Sequence, residues 1–243
     1  MKKFLIAVAG LVALAVPALA ADLPVKAPPM VVNPAYNWTG FYIGAQVGWS
    51  GISDSQVLSS PTFVLPVSSR ASGVVGGGHA GYNFQASRFV FGVEADIEAS
   101  SVRNTYLIGA PFIPSTFGTN NLNWEGSLRG RAGIAVDRVL FYGTAGWAFG
   151  SFNDFYNGSV FSPVFVQGVS STRNGWTAGA GIEYALPSNW TARVEYRYTD
   201  WGTYTNNLNV FLAPPGTSVD KVTQQAVRVG VSYKFGGPVI AKY

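Results

Sequence analysis

Residues 41–49 read FYIGAQVGW. Phe41, Ile43, Ala45, Val47 and Trp49 are apolar, and Tyr42, Gly44, Gln46 and Gly48 alternate with them. Successive side chains of a strand point to opposite faces, so a period of two makes one face apolar and leaves the other polar or bare. The same alternation recurs seven more times. It predicts eight strands at about 38–50, 73–84, 89–100, 122–136, 139–152, 172–186, 190–201 and 222–235, and no helical period follows residue 21.

The intervals between these strands set the topology. Residues 85–88 (QASR), 137–138 (DR) and 187–189 (PSN) are short, whereas 51–71, 101–121, 153–171 and 202–221 each run about twenty residues. Strict alternation of short and long connections is the pattern of an outer-membrane barrel. The expected fold is all-β: an eight-stranded antiparallel up-and-down transmembrane β-barrel with short periplasmic turns and four long extracellular loops. A soluble β-sandwich has no reason to alternate its loop lengths in this way.

The two faces supply a second argument. With the apolar phase turned outward, the strand interiors hold twelve charged residues: Glu94, Asp96, Glu98, Glu125, Arg129, Arg131, Glu183, Arg193, Glu195, Arg197, Arg228 and Lys234. All twelve fall on the inward phase, six acids against six bases, so the set can neutralise itself. A lipid-facing Arg or Lys at mid-depth costs about 2–4 kcal/mol. Backbone groups find no water in hydrocarbon, so a sheet there must close on itself. Outward aromatics cluster at both strand ends, as membrane interfaces favour. Trp49, Trp124, Trp147, Phe149, Trp176 and Tyr198 mark the outer end, and Phe41, Phe84, Phe89, Phe141, Trp190, Tyr233 and Phe235 the periplasmic end.

Composition narrows the rest. The 243 residues include 29 glycines and no cysteine, and only 12% are charged. Disulfide scaffolds, thiol catalysis and Cys-based zinc sites are excluded. A hydrophobic content of 48% excludes disorder. A net charge of +4 without a basic cluster argues against nucleic acid as a partner. Lys2 and Lys3, the apolar run from Phe4 to Val16 and Ala18-Leu19-Ala20 form a signal peptide over residues 1–20. Residues 21–37 hold four prolines and read as an extended periplasmic lead-in, residues 38–235 as the barrel, and residues 236–243 as a C-terminal tail.

Several stretches together carry a resemblance: WTGFYIGAQVGW, GGGHAGYNFQ, FVFGVEADIE, RGRAGIAVDRVLFYGTAGWAFG, GWTAGAGIEYAL, NWTARVEYRYTDWG and VRVGVSYKFG. The chain resembles the outer-membrane immunogenic proteins of alphaproteobacteria, opacity-like eight-stranded barrels similar in shape to the membrane domain of OmpA. The resemblance implies a surface antigen with envelope-structural roles, and it carries over no catalytic residue. Barrels of this kind usually end on an aromatic that the assembly machinery reads. Here Val231, Tyr233 and Phe235 have the required spacing, but GGPVIAKY follows, so the signal is either Phe235 or Tyr243. Gly236-Gly237-Pro238 predicts that the last strand stops at Phe235.

Three functional classes are compared. In a structural surface protein the inward charges and His79 form a polar network that fills the lumen, since eight strands leave an interior that side chains just fill. A small channel would instead use the inward glycines Gly44, Gly48, Gly77, Gly81, Gly92, Gly179 and Gly181 as water-filled gaps. An outer-membrane enzyme would need a His with a partner. The only His, His79, faces inward, whereas a lipid-modifying His should face the bilayer. The expected partners are outer-membrane lipid and lipopolysaccharide, the barrel-assembly machinery, and a host or surface partner at the loops. No cofactor or metal is expected.

Two finer expectations follow. With QASR as a four-residue turn, Phe84 opposes Phe89 and His79 opposes Glu94; with PSN as a turn, Glu183 opposes Arg193. The four long connections each have an apolar centre, around Phe63, Phe112, Phe165 and Phe211. These centres either extend the barrel as hairpins with apolar outer faces, or pack on one another as a cap over its mouth. The proline in each discourages long strand extension.

Overall fold

The structure is a computed structural model that describes residues 36–61, 63–110, 113–158, 165–207 and 217–236. Among these residues there are nine strands and no helix: β1 (Gly40–Ser60), β2 (Phe63–Ala86), β3 (Phe89–Ser100), β4 (Arg103–Ala110), β5 (Ile113–Val136), β6 (Val139–Gly158), β7 (Phe165–Ala185), β8 (Trp190–Asn207) and β9 (Thr217–Lys234). All pairings are antiparallel. β1 pairs β2 on one side and β9 on the other, and β3 pairs β5, so the sheet closes into a ring. β4 continues β3 beyond Ser101 and Val102 and pairs β5 alone. The wall is therefore the expected eight-stranded up-and-down barrel, with one wall strand broken in two.

The tight turns lie at one end. Val136 pairs Val139 across Asp137-Arg138. Glu183 pairs Arg193, the register expected from the PSN turn. The first hairpin corrects the expectation: Ala86 pairs Phe89, so His79 opposes Asp96 and Glu94 opposes Gly81. The turn has two residues, Ser87 and Arg88, because Gln85 joins the ladder and its side-chain amide donates to the Ser87 carbonyl at 2.8 Å. A slip of two residues leaves every side chain on its expected face. Ser87 (φ 56°) and Asp137 (φ 51°) adopt the left-handed conformation that two-residue hairpins demand, without a glycine to relieve it.

At the other end the strands outrun their expected limits. β1 and β2 pair as far as Ser60 and Phe63, β6 and β7 as far as Gly158 and Phe165, and β8 and β9 as far as Asn207 and Thr217. Much of the sequence read as long connections is hairpin wall, with Pro66 and Pro114 inside strands. The reason is a loss of the apolar-out pattern. Below Trp49 the apolar side chains face out; beyond it Ser53 and Ser55 face out, while Ile52 and Leu58 are buried inside. The period of two persists, but both faces become mixed where lipid gives way to water: Asp54 and Gln56 are buried inside as well, and Val57 is exposed outside. Phe63 and Phe165 lie at the hairpin tips, while Phe112 and Phe211 lie outside the described residues, as do the signal peptide over residues 1–20 and the last seven residues.

β9 ends at Lys234, and the Phe235 amide still donates to the Phe41 carbonyl at 2.8 Å. Gly236 then turns the chain at φ 101°, a conformation that favours glycine. Trp38, expected to open the first strand, instead precedes it and folds into the barrel end.

Candidate functional site: the barrel lumen

The twelve charges expected in the strand interiors are all buried. Glu94, Glu98, Arg129 and Glu195 are each 1% exposed, and the other eight are no more than 7% exposed. A water-filled bore would leave such side chains accessible from within, so these values describe a packed interior. On the outside, Trp49, Trp147 and Trp176 are exposed near the rim, and Phe41, Phe84, Phe141 and Trp190 near the turns.

The charges meet across the barrel. Arg129, from β5, reaches Glu94 and Asp96 on β3 and Glu195 on β8; the last two lie at 3.0 and 2.9 Å. Its remaining N–H groups donate to Ser127 and Thr144 at 3.0 and 2.9 Å. Arg193 joins Glu94 from the opposite wall at 2.5 Å. Arg197 binds Asp96 at 3.0 Å and Glu195 at 2.8 Å. Arg228 bridges Glu98 at 2.8 Å and Glu125 at 2.5 Å. Arg131 pairs with Glu183 and stacks on the Tyr142 ring, 3.8 Å from its centroid. A charge removed from water is tolerable only when its partners are this well placed.

Neutral groups complete the layer. Tyr42 donates to Glu94 at 2.8 Å, Tyr142 to Glu195 at 3.1 Å, and Gln224 to Glu125 at 2.7 Å. His79 Nε2 and Ser232 Oγ are 2.7 Å apart. Lys234 stands apart from the network at the turn end, where it contacts the Asn37 carbonyl and the Tyr36 ring.

The inward glycines are occupied space rather than gaps. A Cβ on Gly81 would come within 2.5 Å of the Tyr42 ring, and one on Gly181 within 2.6 Å of the Tyr142 ring. A Cβ on Gly44 would meet His79, and one on Gly48 would meet Arg228. Bare backbone on one strand is what allows the long side chain of the next to lie flat across the lumen.

Two apolar layers bracket the charges, and sequence reasoning missed both. At the turn end Trp38 packs with Val90, Leu140, Tyr142 and Ala185, against Tyr36. Its backbone N–H donates to the Gln85 side chain at 2.7 Å. Burial, and the charge of Glu183 beyond it, push the Tyr36 phenol up to about 12. Toward the rim Ile52, Val75, Val102, Leu122, Phe152, Trp201 and Val222 form a second cluster. The wall is irregular at this height in three places: the break at Ser101 and Val102, the register shift between Leu122 and Trp124, and that between Asp200 and Thr203. Each irregularity sits beside a side chain of the cluster, since a bulge re-aims what it carries. The cavity between this layer and Asp54 and Arg173 measures about 20 Å³, room for about one water. Asp54, Arg173 and Asp220 are buried above it; Asp54 and Asp220 fall in the expected long connections, and Arg173 at the start of an expected strand.

Comparison with known proteins agrees with this architecture. Residues 6–235 match the family described as "Outer membrane protein beta-barrel domain". The chain belongs to that family. It is 36% identical over 238 residues to the 31 kDa outer-membrane immunogenic protein of Brucella melitensis biotype 1, covering 90% of this chain and 93% of that one. It is 37% identical over 243 residues to the 25 kDa outer-membrane immunogenic protein of Brucella canis, covering 97% and 99%. Among solved structures, the outer membrane protein OprG of Pseudomonas aeruginosa superposes with a TM-score of 0.53 at 16% identity, over 83% of this chain and 98% of that one, a likeness of fold alone. The chain is an outer-membrane β-barrel protein of a Gram-negative bacterium. The turn end is accordingly periplasmic and the rim extracellular.

Proposed function

We infer that this family barrel is a non-enzymatic wall element of the outer membrane: a closed cylinder that stiffens the envelope and holds four hairpins up as surface antigens. The observation that carries the reading is the exclusion of solvent from the lumen at three successive levels, the Trp38 layer, the Arg129 network and the Trp201 layer. The name that both Brucella relatives bear, outer-membrane immunogenic protein, supports the antigen role. Against an enzyme stands the environment of His79. The ring is buried on the luminal side, with Ser232 as its hydrogen-bond partner and Gly44 against it, and no substrate approaches it from lipid or water. The channel reading drew on the inward glycines, and four of those seven positions, Gly44, Gly48, Gly81 and Gly181, are covered by His79, Arg228, Tyr42 and Tyr142.

Liposome swelling tests this function. Vesicles holding the folded barrel should swell in iso-osmotic arabinose no faster than empty vesicles, while a porin of about 16 strands, with its aqueous channel, should swell them readily. Swelling that scales with the amount of folded barrel would favour the channel.

A further inference from the structure

The outer surface beyond the aromatic belt is asymmetric in charge. Arg103 on β4, Arg70 on β2 and Lys221 on β9 are exposed, face outward, and make no ion pair among the described residues. Arg70 pairs Ser53 of β1, and Lys221 pairs Ser55 of the same strand. The two cations therefore flank β1 on one face, about 10 Å apart across the strands. Ser53 and Ser55 lie between them, and Ser68 and Thr223 lie beside them on β2 and β9. The other strands, β5 to β8, show neutral side chains at this height, such as Asn153 and Thr172, and one acid among the described side chains, Asp200, which pairs Thr223 at the edge of the sector.

The three cations also share a height. The aromatic belt climbs around the barrel. Trp124 lies on the Ala99–Gly76–Val47 row, Trp49 two residues further along β1, and Tyr198 on the Gln225–Gly51 row, two further again. The cations climb in the same sense. Arg103 follows Ser101, whose amide bonds to Val74, the partner of Trp49. Arg70 lies on the Ser53 row and Lys221 on the Ser55 row. They run parallel to the belt, roughly four residues above it. This is ~13 Å along a tilted strand, or about 10 Å along the membrane normal. That is the depth of headgroups, where the aromatic belt has ended and water has not fully begun.

We propose that the β4–β2–β1–β9 sector is a docking surface for the phosphorylated glycolipid of the outer leaflet, with Arg70, Arg103 and Lys221 on its phosphates and the serines between them on its sugar hydroxyls. The charges are complementary: three cations that make no ion pair among the described residues face a leaflet whose headgroups carry phosphate. The acyl chains would then lie below, on the apolar outer residues Val47, Val74 and Val227. The proposal uses the outer surface and is independent of whether the lumen is closed.

Binding of diphosphoryl lipid A to the folded barrel in neutral detergent micelles, read by native mass spectrometry, tests it. The triple variant Arg70→Gln/Arg103→Gln/Lys221→Gln should bind at least tenfold more weakly than the wild type. The pair Arg88→Gln/Arg138→Gln at the periplasmic turns should leave binding unchanged. Dephosphorylated lipid A should bind the wild type and the triple variant alike, and weakly. Each variant is first checked for the mobility shift on boiling that marks a folded barrel, and the three single variants replace the triple one if it fails that check. Undiminished binding by the folded variants would overturn the proposal. So would displacement of the lipid by an equal concentration of inorganic phosphate, or equal binding of a sulfated polysaccharide, since each assigns the cations to a different anion.

Discussion

At the residue scale the lumen is organised around Arg129. Its guanidinium holds three carboxylates from two walls and two hydroxyls. Arg129→Ala would leave Glu94, Asp96 and Glu195 with Arg193, Arg197 and an Arg131 already shared with Glu183, in a medium that solvates charge poorly. Breaking one partner of a buried network costs about 3–5 kcal/mol. Denaturant unfolding of Arg129→Ala in detergent should show a loss of that order, while Arg88→Ala, exposed at a turn, should stay close to the wild type. Trp38 supports a second prediction. It is buried under Val90 and Leu140 before the first strand begins, so Trp38→Ala should destabilise the barrel by about 3–5 kcal/mol, measured in the same way. These two residues differ in how far the sequence exposes them. Arg129 is legible because a charge on one phase of an alternating strand can only face inward. Trp38 is not, because its role comes from the chain doubling into the barrel end, and nothing periodic precedes it.

At the element scale the strands carry the main lesson. Alternation alone located the eight walls, and the PSN turn placed Glu183 opposite Arg193 as observed. The QASR hairpin slipped by two residues because a side-chain bond within the turn drew Gln85 and Ala86 into the ladder. The strand ends went unread for a different reason. Past Trp49 the outer face mixes Ser53 and Ser55 with Val57, and the inner face mixes Ile52 and Leu58 with Asp54 and Gln56, so an apolar-out template stops matching although the strand continues. The broken wall at Ser101 and the bulges near Trp124 and Trp201 add phase shifts that no simple period describes. Cysteine mapping tests this boundary directly. In intact cells Ser53→Cys and Ser55→Cys should react with a membrane-impermeant maleimide, and Ala45→Cys and Val47→Cys should not. Labelling at Ala45→Cys, or protection at Ser55→Cys, would move the water boundary away from Trp49. Packing between neighbouring strands gives another expectation. A methyl group at Gly181 would press on the Tyr142 ring and on the Val194 carbonyl, each 2.6 Å from its place. Gly181→Ala should therefore cost about 1–3 kcal/mol in unfolding experiments, and Gly181→Ala/Tyr142→Ala should recover part of that loss by making room.

At the scale of the whole molecule the barrel is a cylinder filled from end to end by unlike layers: an aromatic seal at the periplasmic mouth, a charge network at mid-depth, and an apolar seal where the wall leaves the lipid. Each layer fails differently when cut, but only together do they make the protein a wall element rather than a pore. Single-channel recording in a planar bilayer tests that claim most directly. The folded wild type, inserted under a transmembrane potential, should give a flat trace. The triple variant Trp38→Ala/Arg129→Ala/Trp201→Ala, with all three levels opened, should give current steps that show insertion has occurred. Stable, reproducible steps from the wild type, of the same size as those of the triple variant, would contradict the closed lumen and make this barrel a channel.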